Sequence, residues 1–142
     1  MKIVLTLIML LYSLYLNAQV LTVEVTGLRN NKGEIRLAFF SVSEAFDNDD
    51  PDFEKVLSKT KYCDKGNITI SFDDIPAGKY GIALLDDVNK DTKMNYNFFG
   101  IPREGFGFSD YYSSGFSRPD LSDFIFEFYN DKTVKIKVRY IY

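Results

Sequence analysis

Asp87, Asn89 and Asp91 stand two residues apart, and Asn95 follows four residues later. Alternate oxygen-bearing side chains in a tightly curled loop converge on one point, and Ca2+ takes about six to eight oxygen ligands. The carbonyl of Lys93 is the expected backbone ligand. Thr92 stands where an EF-hand needs its turn glycine, Phe98 where it needs its bidentate glutamate, and Lys90 and Lys93 add positive charge. An EF-hand is therefore excluded, while a looser calcium loop of weak affinity at Asp87, Asn89, Asp91 and Asn95 survives. The competing reading is an Asx-rich turn that caps itself through side-chain-to-backbone hydrogen bonds. Both stay open at the level of sequence.

The stretch that follows, from Phe99 to Ser109, contains Arg103, Glu104 and a Gly105-Phe106-Gly107-Phe108 run, with Tyr111 and Tyr112 just beyond. Glycines on either side of Phe106 permit close backbone approach and fix the angle of the rings. Arg103 beside Glu104 is either a buried polar clamp or a surface pair of little worth. Aromatic rings near Asp and Asn suit a protein or glycan groove; alternatively, the same rings fold back as a lid over one end of the fold. A phosphate cradle is a poor reading, since no helix follows the glycines and no Lys-Ser/Thr pair closes the motif. Hydrolysis by Asp86, Asp87 and Glu104 would need carboxyls about 5–10 Å apart across an open cleft. Nothing in the spacing requires that, so the chemistry expected is binding rather than catalysis.

These residues sit in a chain of 142, long enough for one domain. It has no histidine, no tryptophan and one cysteine, which removes His-based triads and Cys/His zinc sites. Its formal charge of −3 gives no basic footprint for nucleic acid. Cys63 cannot bridge within the chain and has no histidine to activate it, so a small half-buried residue is the expected role.

The elements that must position the loop are strands. Apolar residues alternate with polar ones at Leu21, Val23 and Val25; at Ile35, Leu37 and Phe39; and at Ile68, Ile70 and Phe72. The pattern recurs at Tyr80, Ile82 and Leu84, at Phe124, Phe126 and Phe128, and at Val134, Ile136, Val138 and Tyr140. A weaker strand is expected near Lys59 to Cys63, and one or two helical turns over 52–57. Asn30 to Gly33 reads as a hairpin turn, and Asn130 to Lys132 turns the chain. About seven strands with one apolar face each predict an all-β, antiparallel two-sheet sandwich, because a lone sheet would leave that face in water. The segment 88–121 shows no clean period, yet its aromatic load argues for order rather than disorder.

The unit Phe72 to Ile82, with Pro76, Gly78 and Tyr80, resembles the strand connections of transthyretin-like and immunoglobulin-like modules. Tyr80 is expected to pack its ring at a corner while its hydroxyl finds backbone. The wider run resembles the DUF2141 family of secreted bacterial proteins. It comprises Gly78-Lys79-Tyr80, Asp87 to Asp91, Gly100-Ile101-Pro102-Arg103-Glu104-Gly105-Phe106-Gly107-Phe108-Ser109, and Arg118 to Asp123 before the Phe124 strand. The chain departs from that family at Asp86, where histidine is commoner, and at Thr92, where glycine is usual. The resemblance implies a secreted β-sandwich and no particular activity.

Met1 and Lys2 precede an apolar stretch from Ile3 to Leu16, and Ala18 offers a small residue for cleavage. Fourteen residues fit a signal peptide, whereas a spanning helix needs about 20. Residues 1–18 are thus expected to be a signal peptide and 19–142 a single domain, exported to the periplasm or beyond, with no transmembrane segment in the mature chain. No cofactor is required by the sequence, Ca2+ being the one candidate. The function expected is a non-catalytic binding or adhesion module with a protein or glycan partner at the aromatic loop. The alternative is a structural envelope protein that works through protein contacts alone.

Overall fold

Period-two segments become strands because successive side chains point to opposite faces of a pleated backbone. The computed structural model describes residues 19–29, 32–41, 56–60, 66–112, 114–115 and 117–141, and only the backbone of 56–60. Eight strands follow one another: β1 Leu21–Thr26, β2 Glu34–Ser41, β3 Val56–Thr60, β4 Ile68–Phe72, β5 Gly78–Asp87, β6 Gly105–Phe108, β7 Ile125–Phe128 and β8 Lys132–Lys137. A 3-10 turn, Leu121–Asp123, precedes β7. The expected signal peptide, Cys63 and residues 52–55 lie outside the described residues. Val56 and Leu57, expected in a helical turn, begin β3 instead.

The strands form two sheets, one ordered β4-β1-β8 and the other β3-β2-β5-β6, with β7 also paired to β5. This is the expected all-β sandwich. Its core is filled by Val23, Val25, Val134 and Ile136 from one sheet and Ile35, Leu37, Ile82 and Phe128 from the other, all fully buried. Each such side chain contributes roughly 1.5–3 kcal/mol on leaving water.

Two features differ from a simple antiparallel reading. First, β1 and β8 pair in parallel, Val23 opposite Val134 and Val25 opposite Ile136. Second, the turn at Gly33 is not the expected hairpin, since it connects strands in different sheets, as the turn at Asp131 also does. Both flanking strands carry a core face, and the turn folds those faces toward each other across the sandwich rather than edge to edge. Gly33 is fixed by this crossing: its φ is +85°, and a Cβ there would lie 2.3 Å from the carbonyl oxygen of Asp87. At the Pro76 crossing the Tyr80 hydroxyl donates to the Pro76 carbonyl at 2.8 Å, the corner role expected of it.

Strand β5 is the spine that carries the site. One edge pairs with the whole of β2, from Glu34 opposite Asp87 to Ser41 opposite Tyr80. The other edge is shared, β7 taking Gly78 to Gly81 and β6 taking Ala83 to Asp86. The loop 88–104 therefore leaves the end of β5 and returns beside it as β6.

Candidate functional site

Asp86 and Asp87 end β5, and both are fully buried. Their partners differ. Asp87 accepts the Arg36 guanidinium Nε–H at 2.5 Å, and Arg36 also donates to Glu34 at 3.2 Å. Asp86 accepts the hydroxyl of Tyr140, which itself accepts the backbone N–H of Arg29 at 3.1 Å. The Arg29 guanidinium lies 4.5 Å from the Tyr140 ring centroid.

Tyr140 reaches Asp86 because β6 presents glycine to the core. A Cβ on Gly105 would lie 2.5 Å from the Tyr140 ring, and one on Gly107 would lie 2.6 Å from Ile136. The expected close approach is thus real, and it ties the sheets together: Phe106 and Arg139 exchange backbone hydrogen bonds of 3.0 and 2.7 Å. Phe106 and Phe108 turn outward, half-buried. Phe108 packs on Phe124, with centroids 5.0 Å apart, and edge-on to Phe106 and Tyr111. Ser109 fastens this patch to β5, its hydroxyl accepting from Ile82 N–H and donating to the Phe124 carbonyl. Phe106, Phe108 and Tyr111 so form a folded-back layer. Tyr112 is more exposed, with the Lys137 ammonium 4.7 Å from its ring centroid.

Glu104 and Arg103 do not go to the same place. Glu104 is buried and accepts the backbone N–H of Asn95 at 3.1 Å, while Arg103 faces outward. Among the described residues Asp86 Oδ1 has no hydrogen-bond partner. Burial pushes the Asp86 carboxyl up to about 6, opposed by the Tyr140 bond and reinforced by the charges of Glu104 and Asp87. Burial also raises Glu104, against the pull of the Asn95 N–H. All three carboxylates are buried.

Asp87, Asn89, Asp91 and Asn95 are brought together. Asp87 accepts backbone N–H groups from Asp91 at 3.1 Å and Thr92 at 3.0 Å. The Asn89 amide donates to Asp91 at 3.0 Å and to Asn95 at 2.7 Å, and the Asn95 amide donates to Asp91 at 2.8 Å. Asp91 further accepts the N–H of Lys93 at 2.9 Å. The Asn95 amide and the Lys93 N–H hold the Asp91 carboxyl below its usual range. Among the described residues no group of three or more His, Cys, Asp or Glu side chains is arranged to hold a metal ion.

Beyond this stem stands a small hairpin. Tyr96 and Pro102 bridge, Asn97 N–H donates to Ile101 at 2.9 Å, and Gly100 N–H donates to Asn97 at 3.0 Å. Gly100 has φ +73°, the left-handed residue that closes a three-residue hairpin loop. The Asn97 side chain accepts the N–H groups of Phe99 and Ile101 at 2.9 and 3.0 Å. At the corner of this turn Phe98 is 97% and Phe99 82% exposed, and Tyr96 below them is 59% exposed. Tyr96, Asn97, Phe98, Pro102 and Arg103 line an open recess of about 630 Å3.

Residues 23–137, most of the chain, match the family described as uncharacterized protein conserved in bacteria (DUF2141). The chain belongs to the DUF2141 family. No curated protein and no solved structure matches it. In this DUF2141 member Phe98 and Phe99, the most exposed large apolar side chains among the described residues, were not among the candidate residues of the sequence. Their signal was present: Asn97-Phe98-Phe99-Gly100 has turn residues at its ends and two large apolar residues where turns are ordinarily polar.

Proposed function

We propose that the protein is an exported, non-catalytic binding module whose working surface is the Phe98–Phe99 tip. One observation carries this reading: two phenylalanines are held in water by a turn whose backbone groups are already hydrogen-bonded. A flexible loop could fold such rings onto the sandwich, whereas this turn cannot without breaking its own bonds. Exposed apolar groups rimmed by polar residues mark interaction sites. The enclosure of Asp86, Asp87 and Glu104 supports a positioning role for the carboxylates rather than hydrolysis. The apolar run 3–16 with Ala18 behind it supports export, to the periplasm or beyond.

A photo-crosslinking residue at position 98, compared with one at the exposed Tyr129, tests the reading in cells. Adducts from 98 well above those from 129 are expected; equal yields from both would overturn it. Protein adducts dominating from 98 would favour the alternative of a structural envelope protein acting through protein contacts.

Calcium is the second reading, favoured by the convergence of Asn89, Asp91 and Asn95. The amide donors now directed at Asp91 would have to turn their oxygens inward to ligate. Asp87, already committed to Arg36 and two backbone N–H groups, would be the weakest contributor.

A further inference from the structure

We infer that the partner of the Phe98–Phe99 tip is an anionic lipid surface, an inference that rests on the tip being a binding surface at all. Three features of the tip point to lipid. The first is shape. Stable protein interfaces need roughly 800 Å² from each partner, and this apolar surface is two residues at the end of a narrow hairpin, with Phe98 also edging an open recess beside the stem. The second is ring geometry. Phe98 and Phe99 meet edge to face, with centroids 5.6 Å apart and planes at 85°, so they offer no flat platform for a sugar ring. Neither ring has a hydrogen-bonding group with which to read hydroxyls.

The third is charge. The chain carries −3 overall, yet residues 88–103 hold Lys90, Lys93 and Arg103 against Asp91 alone. Asp91 is occupied by the amides of Asn89 and Asn95 and by the Lys93 N–H. The acidic residues nearest in sequence, Asp86, Asp87 and Glu104, are buried beneath the stem. In an acidic protein this loop thus exposes three cations against one anion, and it is tipped with apolar rings. Phenylalanine enters the boundary between headgroups and acyl chains, lysine and arginine meet lipid phosphates, and tyrosine sits at headgroup level. From the tip downward along the chain come Phe98 and Phe99, then Tyr96, then Arg103, Lys93 and Lys90. The hydrogen-bonded turn means that little ordering is lost on insertion.

Co-sedimentation with lipid vesicles tests the inference. Wild type is compared on phosphatidylcholine vesicles and on vesicles containing about 30% phosphatidylglycerol, a surface charge that basic side chains sense directly. Phe98→Ser with Phe99→Ser removes the apolar tip. Lys90→Asn with Lys93→Gln and Arg103→Gln removes the charge, asparagine being chosen because Lys90 has φ +62°. All proteins carry the same N-terminus, so any contribution of residues 3–16 cancels, and unchanged melting temperatures establish that the variants fold.

Wild type is expected to bind the anionic vesicles at least about tenfold more tightly than either variant. The charge variant is expected to lose the preference for phosphatidylglycerol. Equal binding of wild type to both vesicle types, or binding by the double-serine variant equal to wild type, would overturn the inference. Adducts from position 98 to protein, with no vesicle binding, would overturn lipid as the partner while leaving the tip as a binding surface. An inert position 98 together with no vesicle binding would remove both.

Discussion

The backbone N–H of Asn95 donates to the buried carboxylate of Glu104 at 3.1 Å, and this bond seats the exposed hairpin on the acidic end of β5. Asn95 begins the stem, and Arg103 N–H answers by donating to the Asn95 carbonyl at 2.8 Å. The direction in which Phe98 points is thus set by a carboxylate at the foot of the loop.

Glu104→Ala leaves the Asn95 N–H without its acceptor and opens a cavity. It is expected to cost about 1–3 kcal/mol. Glu104→Gln keeps an acceptor and removes a charge beside Asp86 and Asp87, so it is expected to be close to wild type. Urea unfolding of the two variants at neutral pH distinguishes them; equal losses would mean that charge rather than the hydrogen bond holds the stem.

Asp86 gives the protein a pH dependence of definite sign. Its folded carboxyl titrates at about 6 against 3.8 for the free group. Between these values the folded state holds a proton that the unfolded state has released, so stability rises as pH falls through 6. The contribution is fully present below about pH 4 and is lost as pH rises through 6, where it is worth about 3 kcal/mol at most. The raised Glu104 acts in the same direction, while the lowered, exposed Asp91 opposes it. Asp86→Asn is expected to melt higher than wild type at pH 7.5, with the difference shrinking by pH 5. Parallel melting curves across that range would contradict the assignment.

Thr92 has φ +72°, a left-handed conformation that is strained for a β-branched residue. Glycine adopts it without strain. Thr92→Gly is therefore expected to raise stability by about 0.5–1 kcal/mol despite the entropy glycine adds to the unfolded chain. A loss on thermal melting would show that the threonine side chain contributes packing that outweighs the backbone cost.

The side-chain oxygens of Asn89, Asp91 and Asn95 already accept hydrogen bonds from within the loop. Melting in EDTA and in millimolar Ca2+ is expected to differ by less than about 2 °C. A larger rise, abolished by Asp91→Ala, would instead support the calcium reading of these residues.

The strands were legible because their core faces repeat every second residue: Val23 and Val25, or Ile82 and Leu84, announce the sheet side that is buried. Strand partnership was not. Whether the turn at Gly33 is a hairpin or a crossing depends on which surfaces meet across the core, information that β1 and β2 do not carry individually. Strand β6 escaped for a different reason. Its inward positions are Gly105 and Gly107, small so that Tyr140 and Ile136 can approach, and its outward positions are phenylalanines. The usual apolar-inside alternation is inverted, so a four-residue strand read as loop. At the site, the clustering of Asp87, Asn89, Asp91 and Asn95 was visible in their spacing. Asp86 and Glu104 come together only through the pairing of β5 with β6, which places Asp86 opposite Gly105.

Phe98 and Phe99 are held in water rather than folded back like Phe108. Hydroxyl-radical footprinting of the free protein, read residue by residue by mass spectrometry, tests this directly. Oxidation of Phe98 and Phe99 is expected to be fast, with buried Phe126 and Phe128 protected. Protection of Phe98 and Phe99 to the level of Phe126 would contradict the account, since the tip would then be a lid on the sandwich with no surface to offer a partner.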